Sequence, residues 1–155
     1  MSKQLILITA LLAATLTHAQ QLLEVPTNKS RVIVIVLDSV APADAYKMAA
    51  AVFMDAGYAL AKTDETLFYL STDWGEGQGF WLHQYAFMAN VRPSGSGSQV
   101  RLTGQFRLKN HTPDQKATLG GEYNVNEIEK RSNMGKYWKD MEALASQIGG
   151  KLRYL

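Results

Sequence analysis

Residues 99–108 read "QVRLTGQFRL". Val100, Leu102, Gly104, Phe106 and Leu108 alternate with Gln99, Arg101, Thr103, Gln105 and Arg107. Successive side chains of a strand point to opposite faces, so this stretch predicts a strand with one apolar and one polar side. A strand of that kind belongs to an antiparallel sheet with one wet face.

Upstream, "FWLHQYAFMANV" spans residues 80–91 and predicts a second strand. Trp81, His83, Tyr85, Phe87, Ala89 and Val91 form its more apolar set, and Phe80, Leu82, Gln84, Ala86, Met88 and Asn90 the more polar one. The odd-numbered set is therefore expected to face the core. "RPSGSGS" separates the two strands. Further upstream, Thr63-Asp64-Glu65-Thr66 has the composition of a hairpin turn. The run 66–74 then alternates, with Phe68, Leu70, Thr72 and Trp74 on one side and Leu67, Tyr69, Ser71 and Asp73 on the other. "VIVIVL" at 32–37 is a short β-branched run that reads as a buried strand.

Two helices complete the pattern. Pro42 suits a first helical turn, Asp44 favours its N-terminal end, and Gly57 suits the position past the last turn. Tyr46, Ala49, Ala50 and Phe53 share one face, predicting a helix over 42–56. Met134, Tyr137, Trp138, Met141, Leu144, Ala145 and Ile148 form a second stripe ending at Gly149. Residues 109–131 are polar with a central Gly-Gly and read mostly as loop, in which a short element can hide. "KLRYL" can add a last extended piece. The order β-α-β-β-β-β-α predicts an α+β fold in two layers, with both helices packed on one face of an antiparallel sheet.

The front of the chain has a different character. "MSKQLILITALLAATLTHAQ" carries one lysine, an uncharged apolar run and the small-x-small site Thr17-His18-Ala19. That is the form of a signal peptide over residues 1–19, too short in its apolar run to span a bilayer. Residues 20–30 read as an extended leader and 31–155 as one domain. The expected location is periplasmic or secreted, soluble once the signal is removed. There is no cysteine, so no disulfide contributes and no lipid-bearing cysteine follows the cleavage site. Without the leader the chain is close to neutral and has no block of like charge. This argues against a nucleic-acid surface and against a polybasic membrane patch.

The stretch "FMDAGYALAKTDETLFYLSTDW", residues 53–74, together with the element order, resembles small exported bacterial domains of the TATA-binding-protein-like (β-α-β4-α) fold. It is similar to domains of the outer-membrane assembly lipoprotein C. The resemblance covers roughly residues 31–155 and contains no catalytic motif. It implies protein–protein contact rather than chemistry. DNA binding does not carry over, given the export signal and the neutral charge.

Two kinds of site are compatible with these residues. The polar side of the sheet carries Tyr69, Ser71, Leu82, Gln84, Met88, Arg101, Thr103, Gln105 and Arg107, a mixed composition suited to a partner interface. Tyr69, Gln84, Met88, Arg101, Gln105 and Arg107 are its expected binding residues, and the strand edges are a further option. The alternative is a small-ligand, metal or enzymatic site in the glycine–aromatic stretch 73–85, using Asp73, Glu76 and His83 beside an aromatic platform of Trp74, Phe80, Trp81 and Tyr85. "GEGQG" precedes a strand, whereas a phosphate-cradling loop precedes a helix. His83 and His111 lie on different elements with no metal-binding spacing. No nucleophile-elbow sequence is present. The expectation is a non-catalytic module with no cofactor and no metal.

Overall fold

The computed structural model describes Val25–Pro26 and residues 30–76, 83–108, 123–124 and 133–155. The expected signal peptide, most of the leader and of 109–131, and Phe80, Trp81, Leu82 and His111 lie outside the described residues. Of His83 only the backbone is described.

The chain forms strand β1 (Val32–Leu37), helix α1 (Pro42–Asp55), β2 (Leu60–Asp64), β3 (Tyr69–Thr72), β4 (Gly75–Glu76), β5 (His83–Ser94), β6 (Gly97–Leu108), β7 (Tyr123–Asn124), helix α2 (Asn133–Ile148) and β8 (Lys151–Tyr154). Among the described residues the sheet runs β2-β3-β5-β6-β1-β8, with β4 added to β5 and β7 to β6. Each pairing is antiparallel. Both helices contribute to one apolar core on one side of this sheet, so the fold is the expected two-layer α+β arrangement.

Helix α1 follows from its pattern. Ala45, Tyr46, Ala49 and Phe53 are its buried residues, Pro42 occupies the first turn, and Asp44 sits where the helix dipole favours a carboxylate. Its end is a Schellman motif. The Gly57 N–H donates to the Met54 carbonyl and the Tyr58 N–H to the Phe53 carbonyl, each at 2.9 Å. Gly57 has φ +85°, a conformation that glycine adopts without a Cβ penalty. The accompanying apolar contact is Tyr58 edge-on to Phe53, with ring centroids 6.3 Å apart. In α2, Tyr137, Trp138, Met141, Leu144, Ala145 and Ile148 are all buried, which is the expected stripe.

The core lies where alternation places it. Ile33, Ile35 and Leu37 of β1, Phe87, Ala89 and Val91 of β5, and Val100, Leu102 and Phe106 of β6 are buried beneath the helices. Phe87 and Trp138 are fully inaccessible, each worth about 2–3 kcal/mol of apolar burial. Tyr85, Phe87, Ala89 and Val91 of β5 face the helices, as expected.

Several details differ from the sequence reading. The hairpin between β5 and β6 is tighter than "RPSGSGS" suggests. Ser94 pairs with Gly97, leaving only Gly95-Ser96 as the connection. Both strands therefore run several residues further. Pro93 fits because β3 pairs with β5 only as far as Asn90, so β5 is an edge there. The turn after β2 occupies residues 65–68 rather than 63–66. Asp64 organises it, its carboxylate accepting the Thr66 and Leu67 N–H groups at 2.9 Å each. Two other expectations hold: β7 is a short element inside 109–131, and the extended "KLRYL" segment is β8, paired with β1.

The most consequential difference is in the run 66–74, which is not one alternating strand. β3 pairs with β5 through Ser71↔Met88, and β4 through Gly75↔Tyr85. Between these pairs lie Thr72, Asp73 and Trp74 on one strand but only Ala86 and Phe87 on the other. One extra residue is a β-bulge, and it reverses the facing of everything after it. The Thr72 hydroxyl accepts the Phe87 N–H at 2.9 Å, replacing a ladder bond within the buried interior.

Candidate functional site

The face of the sheet away from the helices is built by register. Directly paired residues of neighbouring strands share a face. One row therefore crosses the sheet as Asp64, Tyr69, Asn90, Arg101, Val34 and Arg153, contributed by β2, β3, β5, β6, β1 and β8. The next row is Lys62, Ser71, Met88, Thr103 and Val32. Towards one end Ala86 pairs with Gln105, then Gln84 with Arg107 and Glu76. Towards the other, Arg92, Gln99, Val36 and Lys151 form a row.

This face includes all six expected binding residues. Tyr69, Gln84, Met88, Arg101, Gln105 and Arg107 are each half-buried. The surface is therefore more crowded than a bare wet face. Val34 is only 1% exposed although it is not part of the helix-side core. It lies between Arg101 and Arg153 in the register, where the alkyl stems of long cationic side chains can cover apolar surface while their heads stay wet.

Two polar networks order the ends of the face. Arg107 lies over the Trp74 ring with its guanidinium carbon 4.0 Å from the centroid, and its Nε donates to Gln84 Oε1 at 3.0 Å. The Gln84 amide in turn donates to Glu76 Oε1 at 3.1 Å. At the other end Arg92 Nε donates to Asn90 Oδ1 at 2.8 Å, and Asn90 donates to the Leu67 carbonyl at 3.3 Å. Lys151 pairs with Asp38 at 3.3 Å, both well exposed, so that bridge contributes little. The Arg101 side chain, at the centre, has no hydrogen bond and no carboxylate partner among the described residues.

The glycine–aromatic stretch is divided by the sheet. The bulge turns Trp74 onto the open face beside Arg107, opposite to the side expected from alternation. Tyr85 faces the helices, where it stacks on Tyr137 at 4.3 Å and 23°. Trp74 and Tyr85 therefore do not form one aromatic platform. Asp73 is exposed and its carboxylate turns back to accept the Trp74 N–H at 2.8 Å, while Glu76 is held by Gln84. Each of these carboxylates has a local structural partner.

A second polar–aromatic cluster, not found by the sequence reading, lies on the helix side. Tyr58 meets Phe87 edge-on at 5.3 Å and Tyr85 at 6.4 Å. Burial pushes the Tyr137 hydroxyl up to about 12, assisted by the nearby Tyr85 and Asp140. Burial likewise raises Tyr58 further above the ordinary phenol range and raises Tyr85, with neighbouring ionisable groups adding to both. Asp140 is itself raised by desolvation, which the adjacent Lys136 opposes. The cluster keeps its phenols protonated and tightly packed, which is a structural role. Its parts come from the α1 cap, β5 and α2, so no local sequence signal announces it.

The chain matches no known protein-family model and no curated protein. Among the described residues, no helix is long and apolar enough to cross a membrane.

Proposed function

We propose that this protein is a non-catalytic, exported module, soluble after loss of its signal peptide, that contacts another protein through the open face of its sheet. The observation that carries the reading is the arrangement around Arg101. A half-buried guanidinium without a carboxylate partner occupies the middle of a face otherwise ordered by side-chain networks. Interfaces favour arginine, tyrosine, tryptophan and methionine, and Tyr69, Trp74, Met88 and Arg101 place all four on this surface. The likeness to small exported envelope domains points in the same direction, as does the leader at residues 1–19.

The test is crosslinking in the native cell envelope from photoreactive residues placed at Tyr69 and Gln105, compared with Lys47 on the exposed side of α1. A discrete adduct from the sheet positions alone, lost in Arg101→Glu with Arg107→Glu, is the expected result. Equal adduct formation from Lys47, or adducts unchanged in the double variant, would show that the face is not the contact surface. N-terminal mapping of the purified protein should begin at Gln20 if the leader is removed as proposed.

A further inference from the structure

Cationic side chains collect on the open side of the sheet. This face carries Lys62, Arg92, Arg101, Arg107, Lys151 and Arg153 against the carboxylates Asp64 and Glu76. The two helices, by contrast, nearly balance Lys47, Lys136 and Lys139 against Asp44, Asp55, Asp140 and Glu142. Near-neutral composition therefore conceals a cationic surface, because the register collects basic residues from four strands.

Those cations are not equivalent. Arg107 is stacked on Trp74 and bonded to Gln84, Arg92 is bonded to Asn90, and Lys151 is paired with Asp38. Arg153 is engaged as well. Arg101 stands among them with Asn90 on one side and Val34 on the other. Its nearest charged neighbours along the rows are other cations. Glu76 lies at the far end in the Gln84–Arg107 row, and Asp64, beyond Asn90 and Tyr69 at the end of Arg101's own row, already accepts the Thr66 and Leu67 N–H groups. A half-buried guanidinium in such a field is stabilised by an incoming anion. Its planar fork matches a carboxylate through two parallel hydrogen bonds.

We propose that the partner presents an acidic segment to this face and that one of its aspartate or glutamate carboxylates pairs with Arg101. This rests on the docking function proposed above and specifies its chemistry. The observations favour an acidic protein segment over a nucleic acid. A polyanion backbone needs a track of available cations, one for each phosphate neutralised. Here the cations flanking Arg101 are already engaged, leaving one central anchor with Asn90 beside it, Met88 diagonally across on β5 and Tyr69 one strand further on. Such an anchor suits a single carboxylate set among apolar side chains.

The test uses defined peptide probes and backbone amide shifts of the full mature chain. The acidic probe is a short alternating glutamate–valine peptide, compared with glutamine–valine and lysine–valine peptides of equal length and with a single-stranded oligonucleotide. The acidic probe should shift amides of β1, β5 and β6 around Arg101 and bind less tightly as salt rises. Arg101→Gln should weaken its binding by about tenfold or more, and Arg101→Lys by less, with the spectrum of each free variant unchanged elsewhere. Equal binding of the glutamine probe at the same amides would overturn the acidic preference while leaving the face as a docking surface. Tighter binding of the oligonucleotide would overturn the choice of a protein partner. No shift on this face with any probe would count against the acidic segment, and the crosslinking experiment then decides separately whether the face docks at all.

Discussion

Trp138 and Trp74, the two tryptophans among the described residues, mark opposite sides of one sheet and do opposite work. Trp138 is inaccessible to solvent, carried by α2 into the core against β1 and β6. Trp74 is half-buried on the far side, its ring under the Arg107 guanidinium. On the helix side, apolar burial and aromatic packing set the stability of the fold. On the open side, long polar side chains are held in rows by single hydrogen bonds and a cation–π contact. Energies there are small and individually dispensable, and arrangement matters more than depth. A protein built this way can change its outer face freely while keeping its inner one.

This contrast can be broken first by pH, because several buried phenols act together. Tyr46, Tyr58, Tyr85, Tyr137 and Tyr154 are all raised above the ordinary value of 10.0 by burial, with Tyr137 near 12. The unfolded chain releases these protons at lower pH than the folded one. Stability is therefore fully present below pH 10 and is lost as pH rises through the folded values. Phenolate absorbance from these five tyrosines should appear together with loss of near-ultraviolet dichroism; their ionisation near pH 10 in a still-folded protein would contradict it.

A single deletion on the helix side comes next. Trp138→Ala should cost about 3–5 kcal/mol in urea unfolding, since the site has no solvent into which to collapse. Thr72→Val keeps the shape but leaves the Phe87 N–H without its acceptor, at a cost of roughly 1–3 kcal/mol. Thr72→Ser should recover most of that loss, which separates the hydrogen bond from packing. The smallest effect belongs to the open face. Trp74→Ala should cost on the order of 1 kcal/mol by removing the partner of Arg107. A cost approaching that of Trp138→Ala would mean that the two sides are not energetically distinct.

Legibility in the sequence followed the length of each pattern. β6, with a strict alternation from Gln99 to Leu108, displayed both its strand and its wet side, and the Tyr137–Ile148 stripe did the same for α2. Strands of two or four residues, such as β4, β7 and β8, are too short to show a period at all. The bulge at Thr72–Trp74 was hidden because an inserted residue leaves the composition unchanged while reversing the side that follows. That reversal moved Trp74 from the expected inner side to the outer one. The shared face of Tyr69, Gln84, Met88, Arg101, Gln105 and Arg107 was legible because they sit on strands before or beyond the bulge, where alternation holds. The Tyr58–Tyr85–Tyr137 cluster was not, since its members meet only through the Schellman turn and the packing of α2. The concentration of arginine on one face was also invisible to net charge, which sums over sides that the register separates.

The position of β1 has a consequence for how the chain acquires this structure. Its neighbours are residues 98–103 on one side and 151–154 on the other, and Leu155 exchanges backbone hydrogen bonds with Val32. β1 is thus flanked by residues far from it in sequence, which raises the contact order and slows folding. Its pairing with β6 can form once residue 103 is available, whereas its other edge stays open until residues 151–155 have followed. Removing residues 151–155 should therefore strip one flank from β1 and leave an open strand edge beside the core.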